Sequence, residues 1–138
     1  NGRLDTIQAA ILIHKLKIFP NELERRESAA TLYSEKLREK FTTPFIPSGY
    51  QSAWAQFSIL ADSSEHRSEC QQLLKDEEIP SAVYYPIPLH LQTAYNYLNY
   101  KKGDFPISEE ISNRIFSLPM HPYLTEVEIN QITSILNS

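Results

Sequence analysis

The feature that most constrains this chain is its opening stretch, Asn1 to Phe19, N-G-R-L-D-T-I-Q-A-A-I-L-I-H-K-L-K-I-F. Asp5 followed three residues later by Gln8 has the spacing of a helix N-cap and its capping-box partner. Behind the cap, Ile7, Ala9, Ala10, Ile11, Leu12, Ile13, Leu16, Ile18 and Phe19 cover more than one helical stripe. A helix apolar nearly all round is normally buried on most sides. A domain of 138 residues has little material with which to surround it. The expectation is a helix that lays one face on its own domain and the other on a missing part or a second subunit. Asn1, Gly2 and Arg3 stand directly ahead of the cap with no methionine and no signal peptide. The chain is therefore expected to be a piece of a longer protein.

The length suits one domain with a respectable core. A net charge of −4 argues against nucleic acid, which calls for a basic stripe. Arg3, Asp5, His14, Lys15 and Lys17 interrupt the opening helix, so no membrane span is expected. One cysteine, Cys70, excludes an internal disulfide and suits a reducing cytoplasm. Three glycines (Gly2, Gly49, Gly103) are too few and too scattered for a phosphate-cradling loop.

Pro20 either kinks the first helix or opens a second one. From Asn21 to Phe41, the apolar positions Leu23, Ala30, Tyr33, Leu37 and Phe41 mark one helix face. A charge run from Glu22 to Lys40 covers the other and reads as solvated. Ala53 to Ala61 reads as a strand. A short helix capped by Ser63 or Ser64 follows and carries Cys70, Leu73 and Leu74. Ser81 to Tyr85 is a second strand, stopped by Pro86 and Pro88. Gln92 to Tyr100 is a helical piece, Ser108 to Arg114 a short helix capped by Ser108, and Ile115 to Leu118 a third strand. The last helix opens on a capping box, Thr125 with Glu128, and its buried face is Val127, Ile129, Ile132, Ile135 and Leu136. Two long N-terminal helices followed by alternating strands and helices predict an α/β fold: a two-layer sandwich with a small mixed or antiparallel sheet packed with helices.

No self-sufficient catalytic constellation is evident. His14, His66, His90 and His121 lack metal-ligand spacing, and Cys70 reads as packing rather than as a nucleophile. Two stretches ask for more. In Tyr84-Tyr85-Pro86-Ile87-Pro88-Leu89-His90, hydroxyls and an imidazole emerge from a strand into a rigid proline loop, as a polar ligand needs. At the other end, Asn1 and Arg3 precede a helix N-terminus, where amide, guanidinium and free N–H groups suit an anion.

The runs N-G-R-L-D-T-I-Q-A-A-I-L, S-A-W-A-Q-F-S-I-L, I-P-S-A-V-Y-Y-P-I-P-L-H-L-Q and F-S-L-P-M-H-P-Y-L resemble the DegT/DnrJ/StrS family of nucleotide-sugar aminotransferases, in order and over essentially the whole chain. The resemblance implies that residues 1–138 are the small C-terminal domain of a fold-type I enzyme dependent on pyridoxal 5'-phosphate. The large domain, with the cofactor pocket and its Schiff-base lysine, would lie upstream, so the chain alone is expected to be inactive. The implied activity is amino transfer from glutamate to a nucleotide-diphosphate-linked keto-sugar, for amino-sugar and surface polysaccharide synthesis, by a cytoplasmic homodimer. By motif, Asn1 matches the asparagine that reaches the partner subunit's cofactor phosphate, and Arg3 matches the arginine near the substrate's anionic groups. Tyr84 and Tyr85 match the loop that approaches the sugar nucleotide, although many relatives carry His-Tyr there, and His90 matches a recurrent histidine. Two rivals stay open: a sugar dehydratase, if histidine replaces the upstream lysine, and a non-catalytic regulatory or interaction module.

Overall fold

A computed structural model describes residues 3–138. The first element, α1, runs from Thr6 to Leu37 as a single helix of 32 residues. Asp5 caps it, its carboxylate accepting from the Gln8 N–H at 2.8 Å. The expected pair of helices is one continuous helix, because Pro20 lies inside it without ending it. A proline there removes one backbone bond and leaves the carbonyl four residues back unpartnered. That group, on Leu16, belongs to an exposed segment, so water is free to solvate it.

The two halves of α1 differ sharply. Ala29, Ala30, Tyr33 and Leu37 are buried, and all the buried residues of the helix lie in this last stretch. Ahead of it, Leu4, Ile7, Ile11, Leu12, Ile13, Leu16, Ile18 and Phe19 are exposed, Ile7 at 76% and Leu16 at 65%. The expectation that the opening segment rests one face on its own domain is therefore corrected: it leaves its apolar residues exposed, and only its end, at Phe19, borders a hollow shared with Ile46 and Tyr50.

The strands β1 (Phe57–Leu60) and β2 (Ile115–Leu118) pair antiparallel, with Phe57 opposite Leu118 and Ile59 opposite Phe116. Single bridges extend the ladder on both flanks, Thr42 to Leu60 and Ala82 to Ser117. The expected strand at Ser81–Tyr85 is thus reduced to one bridge at Ala82, because Pro86 and Pro88 supply no N–H to carry a ladder further. The strand expected from Ala53 begins only at Phe57. Trp54 holds a positive φ of 46°, which breaks the extended run ahead of it. Its conformation is secured from α1: Arg26 donates to the Trp54 carbonyl at 2.7 Å, and the indole N–H donates to the Glu27 carboxylate at 2.6 Å.

One face of the sheet meets the helices. Phe57, Ile59 and Phe116 are fully buried there, with Tyr33 stacked on Phe57 at 5.1 Å between ring centroids. Tyr33 also donates its hydroxyl to the Pro119 carbonyl at 3.2 Å. Burial, and secondarily the charge of Glu128, pushes its phenol well above the usual value, so it stays protonated as a donor. Helix α2 (Ser64–Asp76) is capped by Ser63 and buries Cys70 and Leu74. Helix α3 (Pro106–Arg114) starts on Pro106 at its first position, not on Ser108 as expected. Helix α4 (Glu126–Leu136) has both reciprocal bonds of the Thr125–Glu128 capping box. It packs on α1 and α2 through Ile129, Ile132, Thr133 and Leu136. Val127, expected in that face, is 76% exposed instead: at about 100° per residue it falls on the side of α4 opposite Ile129, Ile132, Thr133 and Leu136.

Candidate functional site

The second face of the sheet is polar at its centre. Ser58 and Ser117 face each other across the ladder with hydroxyl oxygens 2.7 Å apart. They form the floor of a groove of about 1120 Å³. Val83, Leu89, Phe105, Ile107 and Ile111 wall it with apolar surface, and Tyr84 and Tyr85 stand on its rim. The tyrosines are 53% and 66% exposed, so their hydroxyls are free to reach a ligand. Such a concave, mainly apolar surface with a few convergent polar groups suits a small molecule carrying hydroxyls.

The rim is rigid for reasons written into its residues. Pro86 and Pro88 fix two φ angles. A short 3₁₀ turn follows at Leu89–Leu91, where the Leu91 N–H donates to Pro88 at 2.9 Å, and the Gln92 side chain donates back to the Ile87 carbonyl at 3.0 Å. A second 3₁₀ stretch, Thr93–Leu98, takes the place of the expected helix and ends on Asn99 in the left-handed region. Four tyrosine and leucine side chains here are exposed, too little apolar burial to sustain a full helix.

His90 sits behind the rim. Its side chain is 7% exposed, its Nε2 lies 3.0 Å from the Glu109 carboxylate, and its ring packs on Phe105 at 4.9 Å. Glu109 also accepts the Gly103 N–H at 2.7 Å. An ionised carboxylate only accepts, so Nε2 is the protonated nitrogen of His90. The Gly103 N–H, opposed by partial burial and aided by His90, holds the Glu109 carboxyl below its usual range. Gly103 itself needs its lack of a side chain, with φ at +100°. Tyr100 closes the cluster edge-on against Phe105 at 5.0 Å.

The residues singled out from sequence fall in three places. Tyr84, Tyr85 and His90 share one loop, the tyrosines facing the groove and the histidine bracing it. Arg3 is exposed, ahead of α1. Thr6 and Ala29 are separated by about 35 Å of helix at 1.5 Å per residue. Arg3 is thus remote from the buried stretch of α1 and is not among the residues that line the groove of Tyr84 and Tyr85. Asn1 lies outside the described residues. Glu109, Gly103, Ser58 and Ser117 escaped sequence reading; the one available signal is a glutamate in the first turn of a helix that follows Gly103 and Pro106.

Among the described residues no cluster of side chains could hold a metal ion, and no helix is long and apolar enough to cross a membrane. None of the seven lysines is buried. Burial pushes the Cys70 thiol up, away from the reactive range.

The sequence profile of the DegT/DnrJ/EryC1/StrS aminotransferase family matches residues 1–137. Over 139 residues the chain is 39% identical to a UDP-2-acetamido-2-deoxy-3-oxo-D-glucuronate aminotransferase of Pseudomonas aeruginosa, covering 100% of this chain and 37% of that protein. It is 38% identical over 130 residues to a pleiotropic regulatory protein of Geobacillus stearothermophilus, covering 91% of this chain and 34% of that protein. The fold superposes with a TM-score of 0.89 on the crystal structure of a DegT DnrJ EryC1 StrS aminotransferase from Brucella abortus. That pair is 45% identical and covers 98% of this chain and 35% of the other. The chain thus spans little more than a third of the relatives it matches.

Proposed function

The chain belongs to the DegT/DnrJ/EryC1/StrS aminotransferase family, and from that premise we propose that it is the small C-terminal domain of a transaminase moving an amino group from glutamate to a nucleotide-diphosphate-linked keto-sugar. The observation that carries this reading is 39% identity to the UDP-keto-sugar aminotransferase along the whole of this chain, and along only 37% of that enzyme. The complete protein is a cytoplasmic homodimer that makes amino sugars for surface polysaccharides. Its cofactor is pyridoxal 5'-phosphate, which supplies the carrier for the amino group and the electron sink for the transfer.

The described residues do not form a site for that cofactor. Every lysine is exposed or half-exposed, whereas a lysine serving in covalent catalysis is activated by desolvation or a neighbouring cation. No catalytic step is assigned to this domain. What it contributes is binding and orientation. Tyr84 and Tyr85 offer two hydroxyls and two aromatic faces at the groove rim, where they bind the sugar nucleotide. Ser58 and Ser117 add hydroxyls at the floor. Arg3 meets the substrate's anionic groups, and Asn1 the cofactor phosphate, both on the neighbouring subunit. His90 serves the same site by bracing the loop rather than by facing the ligand.

The exposed apolar half of α1 packs against the remainder of the protein. This accounts for Ile7, Ile11, Leu12 and Leu16 being left open by a domain that otherwise closes its core. The test is glutamate-dependent amination of UDP-2-acetamido-2-deoxy-3-oxo-D-glucuronate by the complete protein. Amine transfer that falls at least tenfold in KM-limited rate with Tyr85→Phe, and leaves the cofactor's absorbance unchanged, supports the reading; a cofactor-loaded protein without amine transfer contradicts it. A regulatory role is the second reading, favoured by 38% identity to the pleiotropic regulatory protein. It predicts a complete protein with neither cofactor absorbance nor transfer.

A further inference from the structure

Glu109 is the only residue that ties the tyrosine loop to the helix opposite it across the groove through a charged hydrogen bond among the described contacts. One oxygen, Oε1, receives both the His90 Nε2–H from the loop side and the Gly103 N–H from the turn before α3. Both partners of the His90–Glu109 pair are nearly closed to solvent, at 7% and 12% side-chain exposure. Phe105 covers His90 and Tyr100 covers Phe105, so the pair is shielded by two rings. Charge-assisted bonds sheltered in this way are worth more than exposed ones and lock geometry. Exposed ion pairs of this chain, such as Arg38 with Glu39, have no such shelter. The prolines and the Gln92–Ile87 bond stiffen the loop locally, but they do not tie it to α3; beyond the loop, residues 92–100 bury no side chain and hold one short 3₁₀ stretch, Thr93–Leu98.

We infer that Glu109 is a positioning residue of the acceptor site: through His90 and Gly103 it fixes the loop that presents Tyr84 and Tyr85, and so sets the affinity for the sugar nucleotide. This rests on the assignment of that loop to the acceptor in the proposed function. A loop free to sample other conformations binds with an apparent affinity reduced by the fraction of time it is competent. Removing Glu109 therefore weakens acceptor binding without touching the chemical step.

The experiment compares Glu109→Ala and Glu109→Gln in the complete, cofactor-loaded protein. In Glu109→Ala, amide hydrogen exchange across residues 84–105 rises about tenfold or more, while exchange across 57–60 and 115–118 stays at the parent rate. The KM for UDP-2-acetamido-2-deoxy-3-oxo-D-glucuronate rises by about tenfold, with kcat and the KM for glutamate within about twofold. Glu109→Gln keeps an oxygen able to accept both N–H groups, and it restores most of the exchange protection and of the KM. Where the alanine variant does not fold, Glu109→Asp gives the same pattern, because it keeps the charge but shortens the reach. Unchanged exchange in residues 84–105 overturns the inference and leaves the loop's role in acceptor binding standing. Faster exchange with an unchanged acceptor KM overturns the loop's assignment to the acceptor, and the inference with it.

Discussion

The two halves of α1 are one helix with one cap and no break, yet they have opposite surroundings. Residues 29–37 bring Ala29, Ala30, Tyr33 and Leu37 to exposures of 0–5%, whereas residues 7–19 leave Ile7, Ile11, Leu12, Ile13, Leu16, Ile18 and Phe19 at 45–76%. Both halves are apolar enough to pack. The difference teaches that apolar patterning alone does not tell which surface a domain covers with its own residues; on the proposed reading, the remainder of the protein covers the outer half. The scale makes the outer half hard to treat as incidental. Fully burying one such side chain is worth about 1.5–3 kcal/mol, so seven represent on the order of 10 kcal/mol, comparable with the whole stability of a small domain.

The largest effect is expected at the inner half. Tyr33→Ala removes a fully buried ring stacked on Phe57 and should cost about 3–5 kcal/mol, read as a shift of the denaturation midpoint of the 138-residue chain. A loss below about 1 kcal/mol would mean the inner half is not the domain's anchor. Next in size, Thr125→Ala breaks the capping box that starts α4, the helix that packs on the inner half, and should cost about 1 kcal/mol. Acid probes the carboxylates at Glu109 and Glu128. Both have folded-state values below the ordinary glutamate value, Glu109 through the Gly103 N–H first and Glu128 through the Thr125 N–H first. Their contribution is therefore fully present above pH about 4.3 and disappears as pH falls through the lower folded-state values. Denaturation series at falling pH should show the decline, and Glu109→Gln and Glu128→Gln should flatten it. The smallest effect belongs to the outer half: Ile11→Ser should change the stability of the 138-residue chain by no more than about 0.5 kcal/mol. A large loss there would erase the contrast between the halves.

Much of this architecture was legible where local chemistry and tertiary packing agree. The third strand at Ile115–Leu118, the Ser63 cap, the Thr125–Glu128 box and the cap at Asp5 all lie where their residues place them. Reading failed where a distant group decides. Trp54 shortens its strand because Arg26 and Glu27, on α1, hold it in a left-handed turn. Ala82 keeps a single bridge because the prolines beyond it have no N–H to offer. Val127, expected in the buried face of α4, lies opposite Ile129, Ile132 and Leu136 by helical spacing, and it is exposed. At the candidate site, composition singles out the tyrosine loop, polar-tipped aromatics leading into a rigid proline loop, and both rings lie at the groove. Glu109 did not, because a lone glutamate in a first helical turn looks the same whether or not a histidine from 19 residues earlier folds onto it.

The central claim, that the outer half of α1 is covered in the complete protein, is tested most directly by thiol labelling of a Leu12→Cys variant. Cys70 is buried, so in the 138-residue chain the new thiol at a position 46% exposed reports alone, and in the complete protein its rate is read as the difference from the parent without the Leu12→Cys change. The account predicts fast labelling in the 138-residue chain and labelling slower by about tenfold or more in the complete protein. Equal rates in the two would contradict it.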